Sequence, residues 1–344
     1  MQLNAKTCVL VLAVGAAGVT PAAVPPDIAK ELVNIGRGVC VPETAQIYRP
    51  LHPNPPYTGV QIARDISFGP DAKDVLDVFA PEKGGGSRPV LLYVSGGAGN
   101  KQQGGPNGDV FYDNIMLWAV KNGMVGVNMQ RHPGQAWDDP AKAIGMAVKW
   151  VNENIAKYKG NPARVFIWCQ SAGNVPVSTY IGHSELWGPE GVGVKGVVFM
   201  SPPAFDILPA TPPPVQGGFG PCGQPNGAPA PAAPTGGRGP EAAGRGDGRG
   251  RGRGPQADPA TQLARSNLPG LISSKLPFML TVAELDPPNI IGFAETLRDQ
   301  LCKANRCPNY VVFKDHSHIS EVMSPDTADT SVTGPILKWI KSVK

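Results

Sequence analysis

Little in this chain favours one sign of charge. Its 344 residues hold 31 Lys+Arg and 27 Asp+Glu, a formal net charge of +4. That imbalance is too small to build the field that grips a phosphate backbone, so no nucleic-acid partner is expected. Long apolar runs are also missing. The one apolar stretch, residues 8–19, is shorter than the roughly 20 residues that a bilayer-spanning helix needs. No membrane span is therefore expected in the mature chain. Lys6 before this stretch and Ala22-Ala23 after it complete the pattern of an export signal over residues 1–23, with cleavage before Val24. The mature protein is expected to be exported, periplasmic or secreted. Cysteine is scarce, and its number is odd once Cys8 leaves with the leader: Cys40, Cys169, Cys222, Cys302 and Cys307 remain. No pair has zinc-site spacing, and neither a metal nor a cofactor is expected. Cys302 and Cys307 lie across a helix-to-strand turn and form a reasonable disulfide pair in an exported chain. The odd count leaves at least one free thiol, assigned to Cys169.

Glycine (43) and proline (38), by contrast, are plentiful and unevenly placed. They crowd residues 202–267, where large apolar side chains almost vanish and the chain cannot bury enough surface to fold by itself. Arg238, Arg245, Arg249, Arg251 and Arg253 give this stretch only a modest positive charge, and it reads as a flexible insertion. Elsewhere regular patterns dominate. Asp27 is placed to cap a helix over residues 28–34 that Gly36 ends, followed by a proline-rich arm at 50–57. Residues 66–69 and 75–80 read as an antiparallel hairpin at a sheet edge. Continuous apolar runs at 89–94, 124–128, 165–170, 194–200, 276–282 and 310–314 read as buried strands. Helices are expected at 111–122, 140–158, 172–182, 288–304 and 332–343. This alternation predicts an α/β domain over 58–201 and 268–344: a mostly parallel central sheet with helices on both faces. Residues 24–57 would form an N-terminal arm and a possible cap.

In such sheets the reactive residues sit just beyond the carboxyl ends of the strands. Ser171 follows one strand, in Cys169-Gln170-Ser171-Ala172-Gly173. This is a nucleophile-elbow pattern, strand then sharp turn then helix, with cysteine at the first small position instead of glycine. Ser95-Gly96-Gly97-Ala98 follows a second strand, Glu284-Leu285-Asp286-Pro287 a third, and His316-Ser317-His318 a fourth. A serine hydroxyl becomes a nucleophile when a histidine takes its proton, and a carboxylate holds that imidazole in the working tautomer. Either Asp286 or Glu284 can supply the acid. Asp286 is preferred because Pro287-Pro288 stops the chain and turns its carboxylate across the strand ends. Either His316 or His318 can supply the base. The negative oxygen of a tetrahedral intermediate needs backbone N–H donors, expected from Gly97, Ala98 and Ala172. His52, His132 and His183 have no partner motif; Phe111 and Tyr112, after the glycine loop, are candidates to line a pocket.

The segment from Asp139-Pro140 to Ser171-Ala172-Gly173, with Val148-Lys149-Trp150-Val151 and Asn161-Pro162-Ala163-Arg164-Val165, resembles bacterial carboxylesterases of the hormone-sensitive lipase and feruloyl esterase-like group. Val125 to Arg131, Asp286-Pro287 and His318-Ile319-Ser320 match further stations of that family. The resemblance implies an α/β-hydrolase fold with a disordered insertion at the lid position. It implies a serine carboxylesterase acting on a small-molecule ester through an acyl-enzyme, with Ser171, Asp286 and His318 as the triad. It favours His318 over His316. Two departures stand out: Ser95 replaces the family's oxyanion-loop histidine, and Cys169 replaces the elbow glycine. They keep a second class open, a non-catalytic binding protein on this fold. An aryl-formamidase or other amide hydrolase is a third reading.

Overall fold

The computed structural model describes residues 23–102, 110–214, 222–223 and 257–344. The leader assigned to residues 1–23, save its last residue, and the arginine-rich part of the insertion lie outside these residues. Among them, eight strands form one sheet in the order β1-β2-β4-β3-β5-β6-β7-β8. β1 (Val60–Ser67) and β2 (Val75–Pro81) form the expected antiparallel edge hairpin, and β2 runs antiparallel to β4 (Val125–Met129). From β4 onward every pair is parallel: β3 (Arg88–Val94), β5 (Gly160–Gln170), β6 (Gly196–Met200), β7 (Phe278–Ala283) and β8 (Asn309–Phe313). β4 and β6 are buried along their whole length, which is why they read as unbroken apolar runs rather than as alternating ones.

Helices cover both faces. On one face α4 (Asp139–Asn154) and α5 (Asn174–Gly182) pack Ile144, Val148, Val177 and Ile181 against Val90, Leu92 and Ile167 of the sheet. Leu268 and Leu271 of α7 (Leu268–Ser273) and Leu297 of α8 (Pro288–Lys303) extend that layer. On the other face α3 (Asp113–Lys121) and α10 (Thr333–Ser342) bury Ile115, Trp118, Ile336 and Trp339 over Leu91, Phe166 and Trp168. The layers meet the amphipathic expectation for a sheet covered on two sides.

Several boundaries differ from the sequence reading, for local physical reasons. α1 (Pro26–Ile35) starts on Pro26, a residue pre-set for the first helical turn, so Asp27 lies inside that turn rather than capping it. The stretch before the proline-rich arm contains a further helix, α2 (Val41–Tyr48), which also opens with proline in its first turn. The long helix ends at Asn154 and tightens into a 3₁₀ turn, Ile155–Tyr158. Order also reaches into both ends of the glycine- and proline-rich stretch. Phe205 and Ile207 are buried in the core, and α6 (Pro259–Ala264) starts on Asp258, whose side chain accepts from the N–H groups of Ala260 and Thr261.

The N-terminal helices do not stand apart as an arm. Ile28, Leu32 and Ile35 of α1 and Tyr48 of α2 bury themselves with Phe111, Leu285, Ile319 and Met323. Leu285 and Ile319 belong to the loops that leave β7 and β8, so these helices are seated over the strand ends. Disulfides join Cys40 to Cys222 and Cys302 to Cys307, and Cys169 is free and buried. The first bridge ties the start of α2 to the insertion, a pairing that sequence spacing did not reveal. Leu32 is fully buried in this contact. Leu32→Ala is expected to lower unfolding free energy by about 2–5 kcal/mol, measured by urea denaturation, because the cavity forms under a docked helix.

Candidate functional site

Because β3 and β5 through β8 are mutually parallel, their carboxyl ends share one rim of the sheet. The elbow forms where β5 ends. Ser171 takes φ of 49°, the left-handed region that bulky side chains avoid, and a 3₁₀ turn over Ser171–Gly173 leads into α5. Asn174 locks the turn by donating from Nδ2 to the carbonyls of Ser171 (2.8 Å) and Met200 (2.7 Å). Gly173 is required by space: a Cβ there would lie 2.8 Å from the Ser95 carbonyl oxygen. The other small position tolerates cysteine. Cys169 is fully buried, and its thiol has two acceptors in reach, the carbonyl of Val198 (3.3 Å) and Asn174 Oδ1 (3.4 Å).

β7 and β8 deliver the partners. Asp286 and His318 are both fully buried. His318 Nδ1 lies 2.7 Å from Asp286 Oδ1, and His318 Nε2 lies 2.9 Å from Ser171 Oγ. The structure thus brings Ser171, His318 and Asp286 into one hydrogen-bonded row. The alternatives have other partners. Glu284 accepts from the N–H of Asp315 (2.8 Å) and pins the loop after β8. His316 is spanned by Ser320 Oγ (2.9 Å) and Ser331 Oγ (2.8 Å), facing away from Ser171 toward Asp329. His52, His132 and His183 bond to Met323, Asp74 and Glu185, outside this row.

The loop after β3 lies directly against the elbow. A Cβ on Gly96 would come within 2.7 Å of Ser171 Cβ, whereas Gly97 faces open space with φ of 52°. Gly97 and Ala98 follow Gly96 in this loop, which touches the serine. Ala172 begins the turn behind it, where backbone N–H groups have no intrahelical carbonyl. Ser95 donates to the Asn100 carbonyl (2.8 Å) and closes the loop on itself. A larger brace comes from Arg131, after β4. Its guanidinium donates to the carbonyls of Gly97 (2.6 Å), Ser95 (3.3 Å) and Gly96 (3.4 Å). Phe111 and Tyr112, the candidates to line a pocket, are both buried: Phe111 lies edge-on against His52, and Tyr112 packs against Tyr93.

Sequence reasoning missed two residues beside the row. Ser201 follows β6 with φ of 45° and is fully buried. Its Oγ lies 2.6 Å from Asp286 Oδ2 and 2.9 Å from Glu321 Oε2. Glu321, on the short helix α9 (Ser320–Met323), is also fully buried. Burial, then the nearby charge of Asp286, pushes its carboxyl well above the usual range. A signal for Ser201 was present: it holds the same strand-end position that identified the other stations. The ligand atoms of Asp286, His318 and Glu321 lie within 4.8 Å of one another, but both imidazole nitrogens already face Asp286 and Ser171. In the second such group, with Glu43, the two cysteines are joined to each other.

Residues 76–180 match the family model described as BD-FAE. Among curated proteins, a probable isoprenylcysteine alpha-carbonyl methylesterase of Arabidopsis thaliana is 28% identical over 115 residues, which is 33% of this chain and 23% of that protein. Esterase LipQ of Mycobacterium tuberculosis is 34% identical over 118 residues, 32% of this chain and 26% of that protein. The matched stretch spans about a quarter of the length of these curated relatives. Among solved structures, a hyperthermophilic esterase of the archaeon Pyrobaculum calidifontis superimposes with a TM-score of 0.58 at 16% identity, covering 93% of this chain and 98% of that one. The fold is that of the α/β-hydrolases, as the sequence reading anticipated.

Burial pushes the Cys169 thiol well above its ordinary value, so the residue is both shielded and protonated. Iodoacetamide is expected to leave Cys169 unmodified in the native protein and to alkylate it fully in 6 M guanidinium, read by peptide mass spectrometry.

Proposed function

We propose that the chain is an exported carboxylic ester hydrolase that works through an acyl-enzyme on Ser171. The observation that carries this reading is the buried row Asp286–His318–Ser171, with links of 2.7 Å and 2.9 Å, at the rim where the glycine loop meets the elbow. The match of residues 76–180 to the BD-FAE model and the esterase relatives support the substrate class. The two disulfides support residence in an oxidising compartment.

The chemistry follows from the geometry. His318 Nε2 takes the hydroxyl proton as Ser171 Oγ bonds to the ester carbonyl carbon. The carbonyl electron pair moves onto oxygen, which in this reading accepts hydrogen bonds from the N–H groups of Ala172, Gly97 and Ala98. Asp286 accepts a hydrogen bond from Nδ1–H throughout and stabilises the imidazolium without itself taking a proton. When the electron pair returns, the bond to the alcohol oxygen breaks, and that oxygen takes the proton from His318. Water then repeats the sequence on the acyl-enzyme and releases the acid. Arg131 holds the carbonyls of residues 95–97 on the far side of the loop, so the N–H groups stay in place as charge develops.

A fluorophosphonate is expected to label the protein once, with the adduct on Ser171 by mass spectrometry. p-Nitrophenyl acetate turnover is expected to fall by at least about 10³-fold in Ser171→Ala. Equal inactivity of both proteins, with no adduct, would favour a binding protein on this fold, and faster turnover of an aryl formamide would favour an amide hydrolase. Arg131→Met is expected to lower kcat by about 10- to 100-fold with the melting temperature little changed, because it frees the loop that carries the oxyanion donors.

A further inference from the structure

Ser201 faces two carboxyl groups with one hydroxyl proton. Its Oγ lies 2.6 Å from Asp286 Oδ2 and 2.9 Å from Glu321 Oε2, both within hydrogen-bond reach. A single O–H can donate to only one of them, so the other contact needs a proton from the carboxyl group. The remaining partners decide which. Asp286 also receives the Ala283 N–H at Oδ2 (2.7 Å) and faces His318 Nδ1 at Oδ1 (2.7 Å). Arg37 adds a positive charge nearby, donating to the Asp286 carbonyl (2.9 Å). Donors of this kind favour the ionised form. Among the described residues Glu321 has no comparable set: apart from Ser201, its donor is Gln170 Nε2, at 3.5 Å from Oε1. The proton therefore belongs on Glu321, and the chain of donation runs Glu321 to Ser201 to Asp286.

Resting on the reading of Ser171, His318 and Asp286 as an esterase triad, we propose that Glu321 is a positioning residue. It acts as a neutral acid, donating to Ser201 so that Ser201 in turn donates to Asp286 and fixes that carboxylate against His318. The cost of this arrangement is visible. Ser201 adopts a left-handed backbone to aim its hydroxyl between the two acids. The charged or titratable groups facing Glu321 are Asp286 from the β7 loop, His318 from the β8 loop and the Tyr93 hydroxyl from β3; Arg37 reaches the same loop from the N-terminal helices. Burial and the Asp286 charge both push the Glu321 carboxyl upward, in the direction the hydrogen-bond count requires.

Glu321→Gln tests the protonation state, because an amide mimics a neutral acid: it donates to Ser201 and accepts from Gln170. In p-nitrophenyl acetate hydrolysis, Glu321→Gln is expected to keep kcat within about threefold and to leave the acidic limb of the pH profile in place. If Glu321 were ionised, removing its charge would ease deprotonation of the imidazole and move that limb down by about one pH unit, which would overturn the proposal. Stability gives a second readout. A folded state that keeps this proton while the unfolded chain releases it above its ordinary value of 4.5 loses stability as pH rises through that range. Glu321→Gln should lack that part of the slope. Glu321→Leu and Ser201→Ala should each lower kcat at least tenfold with KM little changed, and the double variant should lose no more than the worse single one. Should Glu321→Leu fail to fold, Ser201→Ala carries this arm alone. Wild-type kcat in folded Ser201→Ala would overturn the proposal. Fluorophosphonate labelling of wild-type Ser171 keeps the two readings apart: without it the triad fails, and with it only the role of Glu321 is at stake.

Discussion

The site depends on one buried negative charge. Asp286 has no exposed surface, and a carboxylate withdrawn from water persists only where donors replace its hydration shell. Four parts of the chain supply them: the Ala283 N–H at the end of β7, the Ser201 hydroxyl after β6, the His318 imidazole after β8, and Arg37 on the neighbouring carbonyl from the N-terminal segment. Only Ala283 is near Asp286 in the sequence; the other groups lie far from it along the chain. The parallel register of β6, β7 and β8 is what brings them to one place. The same charge orders the proton on His318, and through it the hydroxyl of Ser171.

The N-terminal helices serve that constraint. Leu32, Ile35 and Tyr48 close over Leu285 and Ile319, which flank the acid and the histidine in their loops. Asp286 and His318 are themselves fully buried, and a low local dielectric makes each hydrogen bond there count for more. The Cys40–Cys222 bridge holds the end of this cover to the insertion. The helices thus belong to the environment of the site as much as to the stability of the fold.

Two departures from the usual elbow and loop patterns are compensated within reach. Cys169 occupies a glycine position because its buried thiol finds acceptors there, with the Val198 carbonyl and Asn174 Oδ1 both in reach. Ser95 stands where a histidine would brace the glycine loop; it closes only the loop's own turn, and Arg131 grips the carbonyls of residues 95–97. A guanidinium has several donors in a fixed plane, so it can hold consecutive carbonyls where a serine hydroxyl holds one.

By itself the sequence determined the α/β class, the parallel sheet with its edge hairpin, and the strand-end stations of Ser171, Asp286 and His318, because strand runs and the small residues around Ser171 are local signals. The Cys302–Cys307 pair was legible for the same reason. It did not reveal α2, the Cys40–Cys222 bridge, the burial of Phe205 and Ile207 beyond β6, or the packing of Phe111 against His52, since each depends on partners far along the chain. Between Asp286 and Glu284 the following prolines favoured Asp286, and between His316 and His318 the choice rested on the family resemblance. Tertiary structure decided, by placing Glu284 on the Asp315 N–H and His316 between two serines, while Asp286 and His318 face Ser171. Ser201 stood at a strand end like the other stations, but its role, and Glu321 altogether, became visible only there. A glutamate on a short helix has no meaning at its sequence position until folding buries it beside groups that must share one proton.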